Sequence, residues 1–300
     1  MVSAQRTIAA IGNFDGVHLG HQALLRETVR IAEREGAQPG VIVFEPHPRR
    51  FFQPDAPPFL LSSPQARDDL LKAHGAEQIL KVVFNEMLAN TLPSVFIYDM
   101  LIDRMGVSGI VAGADFRFGA KRKGDAALLQ EIGKSSEFFV EIVDLLKDAP
   151  QGEKFGSTAV REAVSEGDMR AAAAMLGRPW AVRGAVVEGQ KLGRTLGFPT
   201  ANMLLGDYLE PRRGVYAVKV SHDGVTYDGV ANYGRRPTVG SDAPLLEAHL
   251  FGFAGDLYGS TIEVAFIDFI RVEKKFDGLD ALKAQVEKDI TSSKETLARD

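Results

Sequence analysis

The chain has 300 residues, of which 45% are hydrophobic and 25% charged, and its formal net charge is −5 at pH 7. This length is too great for a typical single core and predicts two domains. The absence of cysteine excludes disulfides, thiolate metal sites and a cysteine nucleophile. The sequence has no basic block, no apolar run near the roughly 18 residues of a membrane span and no apolar N-terminal signal segment. We therefore expect a cytoplasmic protein that binds neither nucleic acid nor membrane.

In the first half of the chain, short apolar runs alternate with helical patterns as far as about residue 146. This order predicts an α/β domain with a parallel sheet and helices on both faces. Ligands in such sheets bind beyond the carboxyl ends of the strands. The predicted strands are Ile8–Ile11, Val41–Phe44, Ile79–Phe84, Ile110–Ala112 and Phe138–Val143. The predicted helices lie near 22–35, 65–74, 94–105 and 125–132, each followed by a glycine of the kind that ends helices: Gly36, Gly75, Gly106 and Gly133.

The most informative motif is GNFDGVHLGH, residues 12–21, between the first predicted strand and helix. A helix N-terminus offers unpaired N–H groups and partial positive charge, which suit a phosphate. His18 and His21 can donate hydrogen bonds to that phosphate and carry positive charge, so they suit charge stabilisation while pyrophosphate leaves. Alternatively they are surface residues or a metal pair, although Asp15 is the only further ligand nearby. The turn residues predicted to bind nucleotide are Gly12, Asn13, Phe14, Asp15 and Gly16.

Two further loops follow predicted strands and therefore lie near the same edge of the sheet. The stretch FEPHPRRFF, residues 44–52, is stiffened by its prolines and is either part of the site or an ordinary packed loop. The stretch GADFRFG, residues 113–119, combines charges with aromatic rings, so Asp115, Phe116 and Arg117 could pair with the planar ring and the polar groups of a nucleotide or flavin. The alternative, that its phenylalanines only pack in the core, is equally open from the residues alone.

The last motif of this half is GSTAVREA, residues 156–163. Ser157 fits a helix N-cap, and Thr158 presents a second hydroxyl at the start of the helix. Arg161 lies one turn further and could reach a phosphate at the same end. An ordinary capped helix with an exposed arginine is the alternative. Helical pattern continues to Pro179, which places the predicted boundary between domains 1–178 and 179–300.

The second half changes to consecutive short strands followed by one helix, which predicts a small antiparallel barrel closed by that helix. Its chemistry is concentrated in GRTLGFPTAN, residues 193–202, where Thr200 and Asn202 present the oxygen ligands that Mg²⁺ prefers. A structural glycine–proline loop is the alternative. Glu247 lies on an otherwise apolar strand and either acts as a general base or faces solvent by alternation. The predicted strands are Ala181–Val187, Val215–Val220, Val225–Tyr233, Glu247–Phe253 and Ile262–Phe269, and the helix carries Leu279, Leu282, Val286 and Ile290 on one face.

Over nearly its whole length the chain resembles the bacterial bifunctional riboflavin kinase/FMN adenylyltransferase (FAD synthetase) family. The first motif resembles the signature of the HxGH nucleotidyltransferases. The resemblance rests on the order and spacing of GNFDGVHLGHQALL, FEPHP, GADFRFG, STAVR, GRTLGFPTAN, GVYAV, GVANYGRRPT and LEAHLF. It implies a Rossmann-like N-terminal domain that transfers AMP from ATP to FMN, and a riboflavin kinase-like C-terminal domain that uses ATP with Mg²⁺. FMN and FAD would be products rather than cofactors, the partners would be riboflavin, FMN and ATP, and any homo-oligomer would be weak.

The resemblance also implies roles for single residues. His18, His21 and Arg161 would be catalytic in adenylyl transfer, with Ser157 and Thr158 in the phosphate motif. Glu247 would activate the ribityl hydroxyl, and Thr200 with Asn202 would hold the metal. The C-terminal loop residues assigned to nucleotide or flavin binding are Gly193, Arg194, Gly197, Phe198 and Pro199.

One position departs from the family: Gly156 stands where it commonly has serine, which removes a hydroxyl from the phosphate motif. A chain with an active kinase and weak or absent adenylyltransferase therefore remains an alternative, as does a non-catalytic flavin-binding regulator. The regulator predicts losses among His18, His21, Thr200, Asn202 and Glu247, and none is lost. Another HxGH nucleotidyltransferase, acting on pantetheine phosphate or nicotinamide mononucleotide, would not explain GRTLGFPTAN and the barrel.

Overall fold

The computed structural model describes residues 6–144, 156–188, 197–234 and 244–299. These residues form two compact units. Unit 1 comprises the described residues of 6–57 and 64–144, and unit 2 comprises those of 58–63 and 156–299. Within the described ranges, no helix has both the length and the apolar character needed to cross a membrane.

Unit 1 is built on a five-stranded sheet in the order β3-β2-β1-β4-β5 with every pair parallel, so the predicted α/β architecture is confirmed. Side chains of β1 alternate between two apolar layers: Ile8 and Ala10 face the layer that contains the first helix, and Ala9 and Ile11 face the other. Helices therefore cover both faces of the sheet. The strands are β1 Thr7–Ile11, β2 Gln38–Glu45, β3 Gln78–Val83, β4 Val107–Gly113 and β5 Phe139–Val143.

The short helix Glu86–Ala89 was not predicted, and the helices of unit 1 differ from the predicted ones at two further places. The stretch FEPHPRRFF is not wholly a loop, because Pro48–Phe52 forms a short helix capped by His47. The prediction that Gly133 follows its helix is wrong: the helix continues to Ser135, and a Cβ at Gly133 would lie 2.9 Å from Val140 Cγ2. This glycine therefore allows the helix to lie close to β5. The helices are α1 Leu19–Arg34, α2 Pro48–Phe52, α3 Pro64–Ala73, α4 Glu86–Ala89, α5 Pro93–Val95 continuing as a π-helix Phe96–Arg104, and α6 Ala126–Ser135.

The strand order reverses at β1, which lies between β2 and β4. A crevice at the carboxyl ends of the strands forms where the order reverses, and ligands bind there in open α/β sheets. The loops that follow β1, β2 and β4 carry GNFDGVHLGH, FEPHP and GADFRFG. The topology therefore brings three separate motifs to one edge of the sheet.

Unit 2 contains a six-stranded antiparallel sheet in the order β6-β11-β8-β9-β10-β7. The backbone N–H of Val187, just after β6, donates to the Asn202 carbonyl on β7 at 2.8 Å, so the two edge strands nearly close the sheet into the predicted barrel. Strand β7, over Ala201–Leu204, is absent from the sequence-based prediction. The other strands are β6 Trp180–Ala185, β8 Gly214–His222, β9 Val225–Gly234, β10 Leu245–Leu250 and β11 Thr261–Arg271.

The predicted final helix is confirmed as α9, Leu279–Leu297. Its buried Asp289 receives two hydrogen bonds from the Arg271 guanidinium, at 2.8 and 2.6 Å, from the end of β11. Ser293 Oγ donates to the Gly229 carbonyl of β9 at 2.7 Å. Because these contacts join the helix to two strands, α9 is fixed against the barrel.

Two short helices, α7 (Ser157–Glu166) and α8 (Met169–Leu176), pack with the barrel. Val164, Leu176 and Trp180 are completely or almost completely buried in one apolar cluster with barrel side chains. The Trp180 indole N–H donates to the Leu61 carbonyl at 2.9 Å. The packing thus groups residues 156–178 with unit 2, and the domain boundary at 178/179 stays a prediction about independent folding.

This packing predicts that a fragment of residues 156–300 is more stable than one of residues 181–300. Removal of α7 and α8 exposes apolar surface of the barrel, and each buried apolar side chain contributes roughly 1.5–3 kcal/mol. We expect the longer fragment to unfold at least about 10 °C higher, since 1 kcal/mol shifts the midpoint by about 2–8 °C for domains of about 60–250 residues. Thermal unfolding of both fragments by circular dichroism measures this. Equal midpoints would mean that the two helices do not belong to the folding unit of the barrel.

Candidate active sites

The first candidate site is the turn between β1 and α1 in unit 1. His18 is the N-cap of α1, and its Nδ1 accepts from the backbone N–H of His21 at 3.4 Å. The two imidazole rings stack, with centroids 3.7 Å apart and planes 21° from parallel, and Phe14 lies 5.0 Å from the ring of His21. Because His18 Nδ1 accepts, its proton is on Nε2, which can donate to a ligand. The structure therefore brings both predicted histidines together at a helix N-terminus.

The backbone of this turn is strained. Phe14, Gly16 and Val17 have φ values of 53°, 79° and 43°, and a positive φ is unusual for phenylalanine and valine. Both side chains are completely buried in the layer beneath α1, which offsets the strain. Strained backbone held by good packing is concentrated at functional sites, so this observation supports a ligand-binding role.

The other predicted residues of unit 1 differ in exposure. Asp15 is buried in the turn and Asn13 is exposed, while Asp115 and Arg117 are exposed after β4. Phe116 is half-buried and stacks on the core residue Phe118, with centroids 5.5 Å apart. Packing therefore accounts for Phe118, and part of the Phe116 ring remains accessible to a ligand.

The phosphate motif lies on α7 in unit 2. The prediction that Ser157 is the N-cap is wrong by one residue: Gly156 is the N-cap, and Ser157 is the first residue of the helix. Arg161 Nε donates to the Phe59 carbonyl at 2.8 Å, and its guanidinium lies 5.7 Å from the Phe59 ring centroid. The contribution of Ser157, Thr158 and Arg161 to chemistry on ATP stays a prediction of the sequence.

The second candidate site is a polar row on the barrel. Glu247 on β10 is directly opposite Asn202 on β7 and Asn232 on β9. Directly opposite residues in a sheet point to the same face, so the three side chains are neighbours. The flanking residues Leu246 and Ala248 belong to the barrel core, so the row lies on the opposite face of the sheet.

Glu247 does not face open solvent, because only 8% of its surface is exposed. Asn202 is 4% exposed, and its Oδ1 has no hydrogen-bond partner among the described residues. A buried amide oxygen without a partner is costly unless a ligand satisfies it. Together with the hydroxyl of Thr200, a half-buried residue directly before β7, this oxygen fits a hard cation such as Mg²⁺.

The loop before β7 is only partly described. Gly197, Phe198 and Pro199 precede Thr200, whereas the predicted residues Gly193 and Arg194 lie outside the described residues. Within the part of the chain that the structure describes, no group of three or more histidine, aspartate or glutamate side chains could hold a metal ion. The alternative that His18 and His21 belong to a zinc site of that kind therefore has no support.

Sequence reasoning missed two residues of the second site, Asn232 and His249. Asn232 completes the polar row, and its signal was a lone amide in the buried second half of strand β9, directly after Val230 and Ala231. His249 lies two residues after Glu247, and its Nδ1 lies 2.8 Å from the Pro199 carbonyl. The sequence alone did not show that these two residues lie beside Glu247, because that depends on how β10 pairs with β7 and β9.

The fold and the two sites define a class of protein: an α/β unit with a histidine-bearing turn at a helix N-terminus, joined in one chain to a barrel with a buried carboxylate–amide pair. Comparison with known proteins identifies the members of that class. A family model described as FAD synthetase matches residues 2–159, and one described as riboflavin kinase matches residues 176–297. The chain is 41% identical over 285 residues to the bifunctional riboflavin kinase/FMN adenylyltransferase of Haemophilus influenzae, covering 95% of this chain and 92% of that protein.

A second relative of the same name, from Escherichia coli K12, is 40% identical over 289 residues, which cover 96% of this chain and 92% of the relative. The crystal structure of a macrolide-efflux protein from Streptococcus pneumoniae is also similar, with a TM-score of 0.86 and 31% identity over 97% of this chain and 95% of that one. The chain therefore belongs to the bifunctional riboflavin kinase/FMN adenylyltransferase family.

Proposed function

We propose that this protein makes FAD from riboflavin in two ATP-dependent steps. Unit 2 phosphorylates riboflavin to FMN, and unit 1 transfers AMP from a second ATP to FMN and releases pyrophosphate. The observation that carries the proposal is the presence, in one chain of this family, of both the histidine turn after β1 and the Glu247–Asn202 pair across β10 and β7. We further propose that the protein acts in the cytoplasm.

In adenylyl transfer, a phosphate oxygen of FMN attacks the α-phosphorus of ATP. The new P–O bond forms as the bond to pyrophosphate breaks, and negative charge grows on the α-phosphate oxygens. His18 and His21 donate hydrogen bonds to those oxygens, and the N-terminus of α1 adds its partial positive charge. Because the turn is fixed by buried Phe14 and Val17, these donors are positioned before the reaction, which is the condition for electrostatic stabilisation.

In phosphoryl transfer, Glu247 accepts the proton of the terminal ribityl hydroxyl, whose oxygen attacks the γ-phosphorus of ATP while ADP leaves. Burial of Glu247 excludes water from the base. Thr200 and Asn202 would hold Mg²⁺, a role with which Asn202 Oδ1, buried and without a hydrogen-bond partner among the described residues, is compatible. When bound, Mg²⁺ neutralises charge on the β- and γ-phosphates.

Purified protein incubated with riboflavin, ATP and Mg²⁺, followed by chromatographic separation of flavins, tests the proposal. We expect FMN to form first and FAD to follow. FMN without FAD would leave only the kinase, and absence of both products would favour a non-catalytic flavin-binding protein. A parallel reaction that starts from FMN isolates the second step.

The departure at Gly156 gives a prediction for that second step. Gly156→Ser is expected to lower the KM for ATP in FAD formation about two- to tenfold, the equivalent of one hydrogen bond of roughly 0.5–1.5 kcal/mol. The substitution is sterically allowed, because φ is −158° and no heavy atom of the described residues lies within 4 Å of a Cβ at this position. Steady-state kinetics of both reactions measures the effect.

Gly156→Ala is the matched control, since it adds the Cβ without the hydroxyl. We expect neither variant to change FMN formation. If the serine and alanine variants had the same KM for ATP in FAD formation, the missing hydroxyl would not limit the enzyme.

A further inference from the structure

His249 joins two parts of the barrel site that carry different chemistry. Its Nδ1 lies 2.8 Å from the carbonyl oxygen of Pro199. Its ring is packed at nearly right angles against Phe198, with centroids 5.8 Å apart, and it also contacts Phe251 at 5.7 Å. A carbonyl oxygen can only accept, so Nδ1 carries the hydrogen and the side chain has a defined orientation.

This hydrogen bond lies at the end of the pairing between β10 and β7, where it can hold the chain that leads into β7. His249 follows Glu247 by two residues on β10, so both side chains point to the same face of the sheet. The ladder between β10 and β7 ends at the pair Ala248–Ala201. Thr200 therefore lies just beyond the last backbone-paired residues of β7 and β10. At this point the His249 side chain, rather than the backbone of β10, donates a hydrogen bond to the carbonyl of Pro199.

We propose that His249 is a positioning residue for riboflavin phosphorylation: it fixes the Pro199 carbonyl and thereby holds Thr200 and Asn202 in place for Mg·ATP. The inference rests on the proposed kinase function of unit 2. It adds a residue that contacts neither the reacting hydroxyl nor the phosphates and that acts through the loop. This bond would tie the chain just before β7, which leads into Thr200 and Asn202, to β10, the strand that carries Glu247.

Three substitutions separate the hydrogen bond from the packing of the ring. His249→Phe keeps an aromatic ring between Phe198 and Phe251 but removes the donor. His249→Asn places an amide N–H close to the position of Nδ1, whereas His249→Gln places it near the position of Nε2. Only the asparagine variant can therefore replace the bond to Pro199.

The first measurement is steady-state FMN formation. We expect the phenylalanine and glutamine variants to raise the KM for Mg·ATP about tenfold, as loss of one hydrogen bond within a site implies. The KM for riboflavin and kcat should change less than about threefold, and the asparagine variant should remain close to wild type. FAD formation from supplied FMN takes place in unit 1 and should be the same in all four proteins.

The second measurement does not depend on activity. Hydrogen–deuterium exchange by mass spectrometry reports the backbone amides of Thr200 and Ala201, since Pro199 has no N–H. Without ligands, these amides should exchange faster in the phenylalanine and glutamine variants than in wild type and the asparagine variant. Exchange in β8 should not change.

Wild-type values in the phenylalanine variant, for both the KM and the exchange, would overturn the proposal. So would an asparagine variant as impaired as the phenylalanine one, because the donor would then be irrelevant. If wild-type protein formed no FMN, the proposed kinase function would fail, and the exchange data would still decide whether His249 holds the loop.

Discussion

His21→Ala is expected to lower the rate of FAD formation from FMN by at least about 10²–10³-fold, the cost of removing one positioned donor from a charge-stabilising site. The same protein should phosphorylate riboflavin at the wild-type rate, because that reaction takes place in unit 2. Separation of FMN from FAD after incubation with riboflavin, ATP and Mg²⁺ reads both steps in one experiment. FMN should accumulate and FAD should not form.

His74→Ala is the matched control for this variant. His74 follows α3 in unit 1 and lies shortly before β3, at the amino end of that strand, whereas the histidine turn follows the carboxyl end of β1. Because His21 also packs on His18 and Phe14, thermal unfolding of each variant should be compared with wild type. A folded His21→Ala protein that makes FAD at the wild-type rate would refute the role of the turn.

The architecture of both units could be predicted from the sequence because its patterns are local. Runs such as Val41–Phe44 are too short and too apolar for an exposed element, and the helical spacing between them requires crossover connections. These patterns predicted the parallel sheet in unit 1 and the antiparallel barrel in unit 2. They also predicted that three motifs meet at one edge of the sheet, because the carboxyl ends of parallel strands lie on the same side.

The features that the sequence did not predict depend on contacts between distant residues. Strand β7 is four residues long and is defined by its pairing with β10. Gly133 lies inside a helix and is glycine there because Val140 of β5 leaves no room for a Cβ. The segment α7–α8 has an ordinary amphipathic pattern, which predicts helices but not that Val164 and Leu176 pack against the barrel.

The same limit applies to the candidate sites. Alternation along β10 predicts that Glu247 points away from Leu246 and Ala248, but it does not tell whether that face is covered. Burial of Glu247 to 8% exposure rules out the solvent-facing interpretation, its role as a general base stays a prediction, and the register then adds Asn232 and His249. The geometry of the histidine turn could be expected in outline, whereas the positive φ of Phe14 and Val17 could not.

Glu247→Gln is expected to reduce kcat for FMN formation about 10²–10⁴-fold, the range for loss of a general base. Glutamine has nearly the same shape as glutamate and keeps hydrogen-bonding groups next to Asn202 and Asn232, but it cannot accept the proton of the ribityl hydroxyl. The KM for riboflavin should therefore change less than about threefold, and FAD formation from supplied FMN should be unaffected.

Glu263→Gln is the matched control, because it removes the same charge from the same unit. Glu263 forms a partly exposed ion pair with Arg183 across β11 and β6, at 3.0 Å, and such pairs contribute only about 0–1 kcal/mol. We expect this variant to phosphorylate riboflavin at close to the wild-type rate.

Single-turnover measurement of FMN formation with saturating riboflavin and Mg·ATP compares the chemical step directly in the two variants and wild type. If the Glu247 variant retained more than about a tenth of the wild-type rate under those conditions, proton transfer to Glu247 would not be part of the rate-determining chemistry, and the buried carboxylate would serve the structure of the row instead.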